Sequence, residues 1–206
     1  MGVISNGTTL LDAGALDSGV ATGAMTLIKT LTASSSGTLS FVNGASGVVI
    51  DGTYKEYVFK IINIHPSASA SFLVGFRDGG SNYDATKTTT YFRAYHQENA
   101  GGGVLAYDAG FDLAQSTDFQ DLTADSVITD NDSGISGTLQ LFFPSSTTFV
   151  KHFKANINSI KAGSSPEMKN SFSSGYCNVT AAIDAVQFKM GSGNMDSGTI
   201  KLYGIK

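Results

Sequence analysis

The chain has 206 residues, of which 41% are hydrophobic and 15% are charged, and its formal net charge is −4. Its 13 Phe and 8 Tyr exclude intrinsic disorder, because a disordered chain lacks the apolar groups that offset ordering entropy. Arg occurs only at positions 77 and 93, so the basic stripe of a nucleic-acid binder is missing, and no apolar run approaches the roughly 18 residues of a membrane span. We therefore expect a packed protein that binds neither nucleic acid nor membrane.

The first 31 residues are rich in Gly, Ala, Ser and Thr, with scattered Leu. We predict that residues 1–31 form an N-terminal arm that contacts a neighbouring subunit, and that residues 32–206 form one domain. The best helix candidates are Thr8–Val20 and Thr180–Val186, and both are weak for their length. The first basic residue is Lys29, so we expect no signal peptide and synthesis in the cytoplasm.

After the arm, apolar residues recur with a period of two, which is typical of half-buried strands. Such strands are predicted at Tyr57–Ile62, Phe72–Arg77, Tyr91–His96, Leu139–Phe143, Phe149–Lys154, Ile183–Met190 and Ile200–Ile205. Pro66, Pro144 and Pro166 lie at the edges of extended runs, where a residue without an N–H group ends the pairing. The pattern predicts an all-β antiparallel sandwich.

A short motif, Ser-Gly-Thr followed by Leu or Ile, occurs three times, starting at Ser36, Ser136 and Ser197. Because Ser-Gly favours tight turns, each copy is predicted to be a turn through which a strand enters the sheet. The apolar residue after each Thr and the one two positions later should point to the same face.

Two long loops are predicted, Asp78–Thr89 and Glu98–Ser136, and the second carries most of the acidic residues. No Lys or Arg occurs between Ala94 and Val150, whereas seven Lys occur from Lys151 onward. This charge asymmetry has two open interpretations: it aligns neighbouring copies, or it only solvates opposite loops.

No catalytic, cofactor or metal motif is present. Cys177 is the only cysteine, so no intrachain disulfide is possible, and a free cysteine is usually a small buried apolar residue. His65, His96 and His152 lack metal-ligand spacing. Asp130 and Asp132 are spaced as in calcium loops, but the twelve-residue pattern is absent, so a solvated turn is the favoured interpretation. We expect a protein that is not an enzyme and that has no cofactor.

Two other functions stay open at this stage. A lectin-like module would contact a host glycan through aromatic residues and carboxylates of the long loops, for instance Tyr107, Phe111 and Asp112. A polysaccharide hydrolase would need two carboxylates at a fixed separation in a cleft, and the acidic residues between Asp108 and Asp132 are predicted to lie in a solvated loop instead.

Three segments carry a resemblance to known proteins: YKEYVFKIINIHPS (Tyr54–Ser67), GTLQLFFPSSTTFVKHF (Gly137–Phe153) and AIDAVQFKMGSGNMDSGTIKLYGIK (Ala182–Lys206). Together they resemble virion structural proteins of tailed bacteriophages, particularly those of marine phages. The resemblance implies a jelly-roll-like β-sandwich, located on the virion as a capsid decoration or tail appendage. It supplies no catalytic residue. Because the sandwich is polar, carries little charge and has a long N-terminal arm, we expect it to bind other virion proteins and to form a homo-oligomer, with a trimer as the expected form.

Overall fold

A computed structural model describes residues 3–12, 15–16, 23–161 and 166–206. Its fifteen strands are β1 (Val3–Ser5), β2 (Thr8–Asp12), β3 (Ala15–Leu16), β4 (Met25–Thr32), β5 (Thr38–Val42), β6 (Glu56–Pro66), β7 (Phe72–Arg77), β8 (Lys87–Gln97), β9 (Gly103–Tyr107), β10 (Gln120–Asp121), β11 (Ile135–Phe142), β12 (Lys151–Lys161), β13 (Glu167–Cys177), β14 (Ala185–Met190) and β15 (Met195–Ile205). One 3₁₀ turn, Ala109–Phe111, is present, and the described residues contain no α-helix.

The strands form two antiparallel sheets of unequal width and one small N-terminal sheet. The large sheet has eight strands in the order β4-β15-β6-β11-β12-β13-β8-β9, and the small sheet has four in the order β10-β7-β14-β5. The N-terminal sheet consists of β1, β2 and β3. The predicted all-β antiparallel sandwich is therefore confirmed.

Aromatic rings join the two main sheets across the core. Phe59 of β6 lies between Phe41 of β5 and Phe188 of β14, with ring centroids 5.2 and 5.5 Å away. At the other end of the core, Phe76 of β7 packs on Phe153 of β12 at 4.7 Å. Edge-to-face and tilted pairs of this kind are worth about 0.5–1.5 kcal/mol each beyond the area that they bury. These pairs hold the two sheets face to face.

The prediction that each Ser-Gly-Thr copy is a turn before a strand is wrong for two copies. For the copy at Ser36 only the position before a strand is correct, because Ser36 itself forms a β-bridge with Met195. The copy at Ser36 precedes β5, whereas those at Ser136 and Ser197 lie inside β11 and β15. Both internal copies coincide with β-bulges against the central strand β6. The residues after Thr do share one buried face in all three copies: Leu39 and Phe41, Leu139 and Leu141, Ile200 and Leu202.

The two bulges flank Asn63 of β6, whose φ is +48°. The Asn63 backbone N–H donates to Ser136 Oγ on one side, at 2.9 Å. On the other side Gly198, with φ +109°, lies so close to β6 that a Cβ there would be 2.6 Å from Ile64 Cα. A Cβ on Gly137 would be 2.9 Å from Ile157 Cα in β12. Glycine is required at both positions because the neighbouring backbone fills the space of a side chain.

Both helix predictions are wrong. Within Thr8–Val20, residues 8–12 and 15–16 are strands, and residues 13–14 and 17–20 lie outside the described residues. In Thr180–Val186 the chain stays irregular until β14 begins at Ala185. Cross-strand pairing and burial of Val186 outweigh the weak helical pattern.

The predicted loop Glu98–Ser136 and the predicted arm both contain strands that the sequence analysis did not predict. Strand β9 lies inside the predicted loop Glu98–Ser136 and pairs with β8. Of the predicted arm 1–31, residues 25–31 belong to β4, which pairs with β15 at the edge of the large sheet. Residues 3–12 and 15–16 pair only with each other within the described chain.

Alanine substitutions at the three motif glycines compare the stability contribution of the two bulges with that of the segment before β5. We expect Gly137→Ala and Gly198→Ala each to lower the free energy of unfolding by about 2 kcal/mol or more, because the added Cβ meets backbone atoms. The matched control is Gly37→Ala, where the added Cβ would lie 3.6 Å from Asn194 Oδ1, and we expect a change within about 0.5 kcal/mol. Urea unfolding of the three variants checks this ranking, and equal losses would contradict it.

Candidate functional site

The three residues predicted for glycan contact lie around the end of β9. Tyr107 is the last residue of that strand, and its side chain is 63% exposed. Its hydroxyl donates a hydrogen bond to Asp112 Oδ2, which raises the pKa of Tyr107. Phe111 instead packs on the buried ring of Tyr91, with centroids 5.5 Å apart. The structure therefore brings Tyr107 and Asp112 together and directs Phe111 against an inner-face residue.

Next to Tyr107, the outer face of the large sheet carries a row of aromatic rings. Tyr107, Phe92 of β8 and Phe172 of β13 are direct cross-strand neighbours. The rings of Phe92 and Phe172 are stacked, with centroids 4.7 Å apart and an interplanar angle of 8°. The row continues into Asn156 of β12 and Thr138 of β11. Aromatic and hydrogen-bonding side chains thus lie side by side across five strands.

A groove of about 350 Å³ runs beside this row. The side chains that line it include Phe172, Asn156, Thr138, Gln140, Lys154 and Ser174. A second groove of about 490 Å³ adjoins it, sharing Lys154 and Ser174 and adding Phe142, His152 and Tyr176. These volumes fall within the range of about 300–1,000 Å³ that is common for ligand sites.

Sequence reasoning missed this surface because β13 was not predicted. Its segment, EMKNSFSSGYC, contains few large apolar residues, so the period-two signal is weak. Phe172 becomes part of an aromatic pair only through the long-range register with β8.

On the inner face of β8 and β13 the structure forms an ion-pair network. Arg93 Nε lies 2.6 Å from Asp108 Oδ2, and Arg93 Nη1 lies 2.5 Å from Asp125 Oδ2. Asp125 also accepts a hydrogen bond from Lys169, whose side chain is only 1% exposed. Burial alone would raise the pKa of Asp125, but Lys169 and Arg93 outweigh it and hold the value below 3.8. Burial lowers the pKa of Lys169.

The expectation that the acidic residues lie in a solvated loop is wrong for Asp108, Asp121 and Asp125. Asp108 and Asp125 are held by Arg93, and Asp121 accepts backbone N–H bonds from Thr123 and Ala124 at 2.8 and 2.9 Å. Burial raises the pKa of Asp121. The acidic segment therefore covers the polar part of the sheet, and Asp108, Asp121 and Asp125 stabilise the fold.

A second buried row contains Cys177 between two lysines. Lys87 and Lys151 are its direct cross-strand partners, and all three side chains are fully buried. Lys87 Nζ donates to the Asp118 carbonyl at 2.6 Å, and Lys151 Nζ to the Val179 carbonyl at 2.7 Å. Burial raises the pKa of Cys177 to about 12 and lowers the pKa of both lysines. The lysines tie loops to the sheet, and the thiol is neutral at physiological pH.

The histidines and the candidate calcium turn are not assembled into a metal centre. His65, His96 and His152 lie on different strands, β6, β8 and β12. His65 Nε2 is 2.9 Å from the carbonyl oxygen of Asp130, which fixes the turn Thr129–Gly134 to the sheet. Across the described ranges, no three His, Cys, Asp or Glu side chains come together as metal ligands would.

No family model, no curated protein and no solved structure matches the chain. None of the described residues belongs to a helix that is long and apolar enough to span a membrane.

Removing the carboxylate of Asp125 tests the ion-pair network. We expect Asp125→Asn to lower the free energy of unfolding by about 2 kcal/mol at pH 7, because Lys169 loses its carboxylate partner in a buried position. Since the pKa of Asp125 is lower in the folded chain, its contribution is complete well above 3.8 and is lost as the pH falls through the folded value. The difference in unfolding free energy between the wild type and Asp125→Asn should therefore become smaller as the pH falls.

Urea unfolding at pH 7 and at pH 3 measures this gap. The matched control is Asp132→Asn, which removes an exposed carboxylate from the same segment and should change stability by less than about 0.5 kcal/mol. Equal effects of the two variants, or a gap independent of pH, would contradict the network.

The environment of Cys177 predicts an unreactive thiol. At pH 8 the native protein should react with a thiol reagent only as fast as it unfolds, because the group is buried and its pKa is about 12. A Thr117→Cys variant, which adds an exposed thiol, should be labelled at once and serves as the control. Rapid stoichiometric labelling of the native wild type would show that Cys177 is accessible and ionised.

Proposed function

We propose that the protein is a non-enzymatic structural subunit of a tailed-phage virion, on the outer surface as a capsid decoration or tail appendage. In this proposal it assembles as a homo-oligomer, with a trimer as the expected form, and attaches to other virion proteins. The observation that carries the proposal is the N-terminal sheet, whose strands pair with no strand of the two main sheets among the described residues.

The N-terminal sheet cannot be stable on its own. Its three strands have three, five and two residues, and within the described chain they pair only with each other. Val3 and Leu11 are direct cross-strand partners on one face, and their side chains are 54% and 37% exposed. A sheet this small needs an apolar surface to pack on. A second copy of the chain, or a neighbouring virion protein, supplies that surface in the proposal.

The strand order supports a jelly roll, which is the architecture that the resemblance implies. Without the paired strands β8, β9 and β12, β13, eight strands remain in two sheets of four: β4-β15-β6-β11 and β5-β14-β7-β10. Numbered along the chain, these orders are 1-8-3-6 and 2-7-4-5, the interleaved pattern of two Greek keys. Jelly rolls are common in viral capsid and lectin domains. In this interpretation the four removed strands are insertions that widen one sheet.

The contacts made by the acidic residues between β9 and β11 favour a non-enzymatic role. Asp108 and Asp125 are neutralised by Arg93 and Lys169. Asp118 accepts a hydrogen bond of 2.9 Å from the Ser116 hydroxyl, and Asp121 accepts one from the backbone N–H of Thr123. A glycosidase needs two carboxylates that face a shared cleft. These carboxylates have structural partners instead.

The glycan-binding alternative keeps a supporting observation of its own. The ring of Tyr107 is exposed and its hydroxyl is fixed by Asp112, as an aromatic contact for a sugar would be. This function is compatible with a subunit on the surface of a virion.

The contribution of the N-terminal sheet to assembly is directly testable. We expect the full chain to be oligomeric in light scattering, and the double variant Val3→Asp with Leu11→Asp to shift toward the monomer, because charge on the exposed apolar face opposes its burial. The matched control, Ser5→Asp with Asn6→Asp, adds the same charge at exposed polar positions and should leave the oligomer intact.

A truncated chain that starts at Gly23 keeps β4 and should also be monomeric but folded. A wild-type protein that is monomeric at all concentrations and does not bind purified phage particles would overturn the proposed function. Loss of assembly in the control variant as strong as in the Val3 and Leu11 variant would show that the apolar face is not the contact.

A further inference from the structure

We propose that the groove on the outer face of β8, β13, β12 and β11 binds an acidic polysaccharide, a glycan that contains uronic acid. A sugar ring stacks on Phe172, and its carboxylate pairs with Lys154. This site is separate from the N-terminal sheet, and the inference does not rest on the assembly proposed above.

The position of Phe172 provides the stacking surface. One face of its ring is covered by Phe92, at 4.7 Å and nearly parallel. In the register of the sheet, the neighbour on the opposite side of Phe172 is Asn156, whose side chain lines the groove. The second face of the Phe172 ring is therefore turned toward the groove. Flat aromatic faces of this kind pack well against the C–H face of a pyranose, and the stack with Phe92 holds the ring upright.

Hydrogen-bonding groups line the groove next to this ring. Asn156 and Asn170 exchange amide hydrogen bonds of 3.1 and 3.2 Å, which fixes the orientation of both side chains. Asn170 also donates to Asn158 Oδ1, so both of its N–H groups are used. Asn156 keeps one N–H donor and one acceptor site for a ligand. The hydroxyls of Thr138 and Ser174 lie in the same lining. A row of fixed amides and hydroxyls suits the alternating donors and acceptors of a sugar ring.

The charge of the groove selects an anionic glycan over a neutral one. Among the residues that the structure describes, no Asp or Glu lines either groove, and Lys154 lines both. No carboxylate of the described residues lies within ion-pair distance of Lys154; its ammonium lies 5.8 Å from the Phe142 ring centroid. The nearby acid Glu56 already accepts a hydrogen bond from Gln140 at 2.8 Å. The ammonium group is therefore available to a carboxylate of the ligand.

Nuclear magnetic resonance titration of the full chain tests the site residue by residue. The probes are oligosaccharides of galacturonate, of glucuronate and of mannuronate with guluronate, each compared with its neutral methyl ester. We expect at least one acidic probe to shift the side-chain amide signals of Asn156 and Asn170, and to bind more tightly than its ester. Raising the salt concentration should weaken the acidic probe alone.

Two variants assign the contacts. Lys154→Gln should weaken the acidic probe by roughly fivefold and leave the ester unchanged, as loss of an exposed ion pair predicts. Phe172→Leu keeps an apolar side chain of similar size but removes the flat face, and it should weaken both probes by roughly fivefold to tenfold. The control Lys189→Gln removes a charge from the other sheet, next to Phe119, and should change neither affinity.

Three results would overturn the proposal: no shift with any uronate, equal binding of acid and ester, or equal effects of Lys154→Gln and Lys189→Gln. Shifts of Asn156 that follow protein concentration without any glycan would identify the groove as a contact between copies, and would also overturn it. Failure of glycan binding leaves the light-scattering test of the N-terminal sheet unaffected, so the two proposals are tested separately.

Discussion

The eight-stranded sheet is twice as wide as the four-stranded sheet that packs against it, so part of its inner face needs another cover. β12 still contributes Phe153 to the shared core, but β13 and β8 place Lys169, Ser171 and Arg93 on that face. The segment between β9 and β11 folds over them and matches their charge with Asp108 and Asp125. Because a buried cation without a partner is costly, this match makes the wide sheet possible.

The same constraint explains which predictions from the sequence are correct. Period-two runs such as Tyr57–Ile62 report burial on one face, which a local pattern can reveal. Strand β13 buries no large apolar side chain on its inner face, so its existence depends on pairing with β12 and β8 across the sheet. The Ser-Gly copies show the limit of local chemistry. The same residues form a bridge and a bend before β5 but bulges in β11 and β15, because only there does β6 run alongside.

The structure also gives the uneven charge distribution along the chain a role that differs from the two interpretations above, alignment of copies and solvation of loops. Part of the acidic segment pairs with the basic one inside the same molecule, through Asp125 with Lys161 and Lys169. The widened sheet has a groove on its outer face, formed by β8, β13, β12 and β11. The N-terminal strands form a different surface, on which Val3 and Leu11 are exposed. In our account one feature joins copies and the other contacts a ligand.

An electron cryo-microscopy map of the assembled protein would test this account most directly. It should show Val3–Asp12 packed through Val3 and Leu11 on a neighbouring subunit, with the groove beside Phe172 open to solvent. A map in which these strands fold back on their own sandwich, or in which a neighbour fills the groove, would contradict the division of roles proposed here.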